Sequence, residues 1–169
     1  YTTEIYFRHC LYFIIMSNFV EKLQVFLESR KIFKNWYIFP KIYFRLSKKK
    51  FSIFETKSGM KIMIRTDSTD LMALTNVWMI NEYNIDDYGI TENDIVIDIG
   101  AHIGLFSLRV SRLCTKGKIF SYEPIKDNFE CLVSNLKLNK LEHILPFNLA
   151  VSSDSSKLNI FLNDDESGH

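Results

Sequence analysis

The sequence is poor in the residues that hold small or extracellular folds together. Its 169 residues include three cysteines, three prolines and six glycines, and no two cysteines form a CxxC pair. Three unclustered cysteines argue against both a disulfide framework and a zinc site. We therefore expect no bound metal, and we predict a reducing, cytoplasmic compartment.

Long apolar runs are also missing. The longest covers residues 11–16, whereas a membrane-spanning helix needs about 20 apolar residues. The same segment faintly resembles a signal peptide, but no small-residue cleavage site follows it. We predict no membrane span. Because the first methionine is Met16, residues 1–15 are expected to be an upstream or non-native leader, with Tyr1 as the alternative start.

The chain has almost no net charge. Its 21 Lys and Arg are offset by 20 Asp and Glu, which leaves a formal charge of +1. Proteins that bind nucleic acid attract phosphates with an excess of basic side chains. The balance of charges therefore makes nucleic acid an unlikely partner on sequence grounds.

One segment departs from this balance. Residues 34–50, KNWYIFPKIYFRLSKKK, are aromatic and basic. They suit either a phosphate-bearing or acidic partner, or a solvated connector whose aromatic rings pack on the main domain. We favour the connector, because a single short charge run is common on protein surfaces.

The first half of the chain predicts a helical and β-hairpin extension over residues 16–92. Near-helical spacing of apolar residues predicts a helix over 18–33. Two β-rich runs around a Lys-Ser-Gly turn predict a hairpin over 51–66. Asp70 precedes an amphipathic run and is expected to cap a helix there.

From residue 93 the pattern becomes α/β. Strand, helix, strand, helix and strand alternate with short links, which is typical of a parallel sheet with right-handed crossovers. We predict the first half of a Rossmann-like, doubly wound α/β domain over 93–169. The predicted strands are 94–98, 118–123, 143–151 and a half-exposed fourth at 157–163.

The stretch DIVIDIGAHIGLF, residues 94–106, joins the first strand to the next helix through two glycines. Gly100 is placed where a backbone approaches a ligand without a Cβ in the way, and Gly104 permits close packing on the strand. Glycines in such a turn also serve backbone geometry alone. By themselves they do not identify a ligand.

Glu123 adds a second signal at the tip of the second strand, 25 residues after Asp98 (123 − 98 = 25). A carboxylate there is the usual partner of ribose hydroxyls. A nicotinamide cofactor needs the spacing G-x-G-x-x-G, which is absent, and Asp98 opposes a diphosphate because like charges repel at reduced dielectric. S-adenosylmethionine carries a ribose, an ammonium and a sulfonium but no phosphate. The charge pattern therefore predicts S-adenosylmethionine.

Three segments together carry a family resemblance. DIVIDIGAHIGLFSL, IFSYEPIKDNFECLVSNLKLNK and ILPFNLAVSS resemble the FkbM family of S-adenosylmethionine-dependent methyltransferases. The resemblance covers roughly residues 50–169 and implies which residues hold the cofactor. They are Asp98, Gly100, Ala101, His102 and Gly104 in the first motif, Glu123 and Pro124 after the second strand, and Asn148 and Ala150 after the third, near the adenine ring.

The resemblance implies O-methylation of a sugar hydroxyl or a secondary metabolite, with a small-molecule or glycan acceptor. His102 is interpreted as a side chain that shapes the turn rather than as a catalytic base. The family's later acidic motif would follow His169, so neither a catalytic residue nor an oligomeric state is predicted. Two alternatives stay open, an NAD-dependent oxidoreductase and a truncated, non-catalytic binding domain.

Overall fold

The protein is described here from a computed structural model that covers residues 19–153. The predicted leader, residues 1–15, and the predicted strand 157–163 lie outside the described residues. The helices are α1 (Phe19–Ile32), α2 (Ile38–Tyr43), α3 (Asp70–Leu74), a π-helical turn (Thr75–Ile80), a 3-10 turn (Ile85–Asp87), α4 (Leu105–Val110) and α5 (Lys126–Asn139). The strands are β1 (Phe51–Glu55), β2 (Lys61–Arg65), β3 (Ile95–Ile99), β4 (Lys118–Tyr122) and β5 (Ile144–Phe147).

The second half of the chain forms the predicted parallel sheet. Its strand order is β3-β4-β5, with Ile95 level with Lys118 and Ile119 level with Ile144. Helices α4 and α5 make the two crossovers, so every connection runs strand to helix to parallel strand. The α/β class predicted from sequence is confirmed for this part of the chain. All three carboxyl ends meet at one edge, where ligands bind in open α/β sheets.

The sheet has one covered face and one open face. Ile119 and Ser121 of β4 and Ile144 of β5 are buried. The opposite face carries Ile95, Ile97 and Ile99, whose exposed fractions are 72%, 62% and 62%. No element between residues 19 and 153 covers these side chains.

The hairpin β1–β2 is antiparallel and is attached to α5 by two asparagines. Asn135 accepts from the Met63 N–H at 2.7 Å and donates to the Met63 carbonyl at 3.0 Å. Asn139 makes the same pair of bonds with Lys61, at 2.8 and 2.6 Å. The amide side chains therefore satisfy β2 backbone groups that would otherwise form a free edge.

The helix predicted after Asp70 is present, but Asp70 does not cap it. Thr69 holds the N-cap position, and Asp70 is the first residue of α3, with its carboxylate turned to Arg65. The helix then widens into the π-helical turn, where Trp78 is buried and its Nε1–H donates to the Leu105 carbonyl at 3.2 Å. The extension is thereby anchored to the start of α4.

None of the helices within residues 19–153 is both long enough and apolar enough to cross a membrane.

Candidate functional site

The turn between β3 and α4 has the conformation that its glycines permit. Gly100 has φ +76° and Gly104 has φ +85°, and between them His102 also lies in the left-handed region at +51°. The N–H groups of Gly100 and Ala101 both donate to the Tyr122 carbonyl at 2.9 Å. A Cβ placed on Gly100 would meet nothing within 4 Å. The turn is thus fixed against β4 on one side and open on the other.

Gly104 packs against a helix, not against the strand that the sequence analysis expected. A Cβ at this position would lie 2.4 Å from Cδ1 of Leu132, which is fully buried in α5. The missing side chain is what lets α5 approach the turn so closely. The position of the glycine was predicted correctly, but its packing partner was wrong.

Glu123 joins the tip of β4 to the turn. It is buried, its Oε2 accepts from the His102 N–H at 2.7 Å, and its Oε1 accepts from the Ile125 N–H at 2.8 Å. Each carboxylate oxygen has a second lone pair that these two bonds do not use. The carboxylate therefore orders the turn and keeps the capacity to accept two further hydrogen bonds.

Asp98 lies beneath the turn, buried between β3 and α4. Its Oδ2 accepts from the Ser107 hydroxyl at 2.5 Å, and the Ser121 hydroxyl oxygen lies 2.7 Å from that of Ser107. Burial raises the pKa of Asp98 to about 6; the hydrogen bonds from Ser107 oppose this shift and the nearby charge of Glu123 adds to it. Near neutral pH the site therefore holds a poorly solvated negative charge.

This raised pKa predicts a pH dependence of stability. The folded state holds the Asp98 proton more tightly than the unfolded chain, whose pKa is about 3.8, so stability falls as pH rises from about 4 to about 6. The Asp98→Asn variant should lack this loss, which amounts to about 2–3 kcal/mol at about 1.4 kcal/mol per pKa unit. Urea unfolding of both proteins across this pH range measures the difference.

Asp94→Asn is the matched control for that experiment. Hydrogen bonds from the backbone and hydroxyl of Thr91 lower the pKa of Asp94, so any stability it contributes is lost as pH falls, the opposite direction. If Asp98→Asn shows the same pH profile as the unsubstituted protein, the buried carboxylate is not the cause.

The remaining predicted residues follow β4 and β5. The Asn148 side-chain N–H donates to the Glu123 carbonyl at 2.8 Å and to the Pro124 carbonyl at 3.1 Å. Asn148 and Ala150 are both exposed. The structure thus brings Asn148 and Pro124 to the Glu123 end of the site, with Ala150 two residues further along.

A buried ion pair beside the turn was missed by the sequence analysis. Asp70 is fully buried and accepts three hydrogen bonds from Arg65. Its Oδ2 accepts from the backbone N–H of Arg65 at 2.8 Å and from the Nε of Arg65 at 2.9 Å. Its Oδ1 accepts from the Nη2 of Arg65 at 2.7 Å. The same Nη2 donates to Asn128 Oδ1 at 2.7 Å and lies 3.5 Å from His102 Nε2. This pairing raises the pKa of Arg65. The only sequence signal was that Asp70 stands five residues after Arg65, the last residue of β2. Asp70 had been interpreted as a helix cap.

Comparison with known families gives one match over most of this region. The profile of the TRM5/TYW2 methyltransferase domain matches residues 56–165, which include the hairpin turn, the ion pair and the whole candidate site. A curated relative, the methyltransferase sdnD of Sordaria araneosa, is 43% identical over 47 residues, which is 28% of this chain and 18% of the relative.

Solved structures with a similar fold include three archaeal proteins. TYW2 of M. jannaschii in complex with AdoMet is 23% identical, with a TM-score of 0.46, and the match covers 62% of this chain and 45% of that one. TYW2 of P. horikoshii in complex with MeSAdo is 20% identical, with a TM-score of 0.43 and coverages of 62% and 38%. The M. jannaschii tRNA m1G37 methyltransferase is 20% identical, with a TM-score of 0.43 and coverages of 62% and 31%. The chain spans less than half the length of each.

The family match confirms one prediction and overturns another. It confirms an S-adenosylmethionine-dependent methyltransferase domain and favours it over the NAD-dependent alternative, whereas membership of the FkbM family is not shown. The prediction of a small-molecule or glycan acceptor, with nucleic acid unlikely, was wrong, because the match is to the TRM5/TYW2 methyltransferase domain, a family that points to nucleic-acid substrates.

The error came from summing the charge over the whole chain. Residues 29–54 contain eight Lys and Arg and no acid, and residues 66–108 contain eight Asp and Glu and no Lys or Arg. The net charge of +1 conceals both segments.

Proposed function

Because the chain belongs to the TRM5/TYW2 methyltransferase domain family, we propose that it supplies the cofactor-binding half of an enzyme that methylates RNA. The observation that carries the proposal is Glu123, a buried carboxylate at the tip of β4 that touches the glycine turn through His102. Family membership supports the class of reaction, and the resemblance to a tRNA methyltransferase supports an RNA acceptor.

The residues present fit S-adenosylmethionine. Glu123 has two unused lone pairs to accept hydrogen bonds from the ribose hydroxyls. Gly100 leaves open space where a Cβ would otherwise stand, so the backbone there can contact the methionyl part. Asp98 provides negative charge close to the turn, which favours a ligand with an ammonium and a sulfonium. No phosphate has to be accommodated beside these two carboxylates.

The other site residues have supporting roles in this proposal. Ala101 and His102 present backbone N–H groups that fix the turn to β4 and to Glu123. Asn148 holds the ends of β4 and β5 together, beside the proposed adenine position near Ala150. S-adenosylmethionine supplies a methyl group made electrophilic by the sulfonium. What this half of the domain contributes is alignment of that group, which alone accounts for much of the rate in reactions of this kind.

Substitution of Glu123 tests the site. We expect Glu123→Ala to weaken binding of S-adenosylhomocysteine by about 1–3 kcal/mol, because two hydrogen bonds to the ribose are lost. Calorimetric titration measures the affinity, with NAD and ATP as ligands that should not bind. Glu123→Gln keeps a side-chain oxygen for one backbone N–H and separates a loss of binding from a loss of folding.

Glu92→Ala is the control variant. Glu92 is exposed, and its Oε1 lies 2.7 Å from Lys116 Nζ, before the start of β3 and not at the turn that follows it. This variant should leave the affinity unchanged. An unchanged affinity in Glu123→Ala would remove the ribose-binding role, and binding of NAD in place of S-adenosylhomocysteine would overturn the proposed cofactor.

The acceptor is tested with labelled S-adenosylmethionine. We expect the full enzyme to transfer the labelled methyl group from S-adenosylmethionine to tRNA and not to a protein mixture from the same cells. Label in protein alone would contradict an RNA acceptor while leaving the cofactor site intact.

A further inference from the structure

We propose that the segment between α1 and β1 carries an RNA-binding surface that holds a single-stranded or loop region of the acceptor beside the cofactor turn. The proposal rests on the proposed function, since it assumes an RNA acceptor, and it adds the surface that would recognise it. The surface, called here the basic surface, consists of Lys41, Arg45, Lys48, Lys49 and Lys50 with the rings of Tyr37, Tyr43 and Phe44.

The cations of the basic surface are not neutralised by neighbours. All five are exposed, and none lies within ion-pair distance of a carboxylate among residues 19–153. Two other basic residues of the same acid-free segment do have partners, Lys31 with Glu28 and Lys34 with Glu55. Because no acid occurs between residues 29 and 54, the segment carries a local excess of positive charge of the kind that attracts a phosphate backbone.

Three aromatic rings accompany these cations and remain in contact with solvent. The exposed fractions of Tyr37, Tyr43 and Phe44 are 52%, 38% and 65%. Rings elsewhere in the segment pack inward, as Phe39 does, so the connector interpretation accounts for those rings. It also accounts in part for Tyr43, which stacks on Phe39 with the ring centroids 6.2 Å apart, but not for Tyr37 and Phe44, which are more than half exposed. The Lys41 ammonium lies 5.4 Å from the Tyr37 ring centroid, which joins a cation to a stacking surface. Exposed rings beside cations are the combination that binds unpaired bases.

Hydrogen bonds link the backbone of the basic surface to the end of β2, the strand that carries Arg65. The Thr66 hydroxyl donates to the Lys49 carbonyl, and the Thr66 N–H donates to the Lys50 carbonyl at 3.0 Å. Thr66 directly follows Arg65, whose Nη2 lies 3.5 Å from His102 Nε2 in the turn. The backbone that carries the lysines is therefore connected to the cofactor turn through Thr66 and Arg65.

A membrane with anionic lipids is the other macromolecule that this chemistry could attract. The link to the turn through Thr66 and Arg65 favours RNA, because a substrate must reach the methyl group while a membrane need not. The aromatic rings also lie on the six-residue helix α2 and at its two cap positions, and not on a long amphipathic helix of the kind that lies in a lipid interface.

Salt dependence of RNA binding tests the lysines. The probe is a fluorescent RNA stem-loop, and its affinity for the protein is measured by anisotropy at several salt concentrations. The triple variant replaces Lys48, Lys49 and Lys50 by glutamine. Each phosphate contact on a single strand contributes about 0.7 to the slope of log association constant against log salt concentration, so the slope should be less steep by about 2 in this variant. Its affinity for S-adenosylhomocysteine should be unchanged.

A second triple variant has the same change in charge elsewhere. Lys116→Gln, Lys118→Gln, Lys137→Gln removes three exposed lysines near the end of the sheet opposite the turn, and it should keep the original slope. Equal slopes for the two triple variants would overturn the proposal. If the unsubstituted protein binds RNA but does not bind S-adenosylhomocysteine, the proposed cofactor site is overturned and this surface is not.

The aromatic rings are tested separately from the charges. Phe44→Ala and Tyr37→Ala should each weaken binding of the stem-loop roughly tenfold, from the usual value of base–aromatic stacking. They should leave binding of a blunt RNA duplex unchanged, because its bases are already stacked. Equal losses for both RNAs, or tighter binding to phosphatidylserine vesicles than to RNA, would overturn the proposal.

Discussion

Replacing Asp70 by alanine is expected to lower the free energy of unfolding by about 3–5 kcal/mol, because it leaves the Arg65 guanidinium without the carboxylate that balances its charge. The carboxylate is fully buried and receives three hydrogen bonds from Arg65, two of them from the guanidinium. Removing it leaves a partly buried cation beside His102 and an unpaired backbone N–H. Urea unfolding at neutral pH measures the loss.

Two further variants separate the ion pair from general damage. The double variant Arg65→Met, Asp70→Ala removes both charges and should be more stable than Asp70→Ala alone. Asp86→Ala removes a carboxylate that is 72% exposed and 3.4 Å from Arg109, so its effect should stay below about 1 kcal/mol. A double variant no more stable than the single one would show that the unpaired cation is not what destabilises the protein.

Gly104→Ala is expected to have the second large effect, about 2–5 kcal/mol of lost stability. Two physical terms contribute, since a left-handed backbone costs a non-glycine residue about 1–2 kcal/mol and overpacking of a core costs about 1–3 kcal/mol. The new methyl group would stand 2.4 Å from Leu132 Cδ1. Affinity for S-adenosylhomocysteine should fall as well, because the turn moves when α5 is pushed away.

Gly89→Ala isolates the steric part of this effect. Gly89 also has a positive φ, +61°, but a Cβ there would meet nothing within 4 Å. Its loss of stability should therefore contain the backbone term alone. If thermal or urea unfolding gave the same loss for both variants, contact with Leu132 would have no part in the requirement for glycine at position 104.

The sheet and the position of the site could be predicted because they depend on local sequence. Strand β3 is a short apolar run with a carboxylate, Asp98, as its next-to-last residue, and Gly100, Gly104 and Glu123 follow strand ends at fixed places in the chain. Such patterns need no knowledge of distant residues. The turn, the carboxylate at the tip of β4 and the parallel order were therefore predicted correctly.

Features that depend on contacts between distant segments were not predicted. Asn135 is fully buried in α5 because it bonds the backbone of β2, 72 residues away in sequence, and a search for apolar periodicity passes over it. Asp70 before a helix has the same sequence signature whether it caps the helix or pairs with Arg65. The exclusion of nucleic acid failed for a related reason, since summing charges discards where along the chain they lie, whereas the small-molecule or glycan acceptor had come from the resemblance to the FkbM family, which is not shown.

The packing of Trp78 gives the molecule an optical reporter. The protein has two tryptophans. Trp36 packs edge-on against Phe26 in the extension, whereas the Trp78 indole is buried and bonded to the first residue of α4, immediately after the glycine turn. In the variant Trp36→Phe, the tryptophan fluorescence of the protein, with its emission wavelength and lifetime, would come from Trp78 alone. Movement of the turn would then be visible in the protein's own fluorescence, without an attached dye.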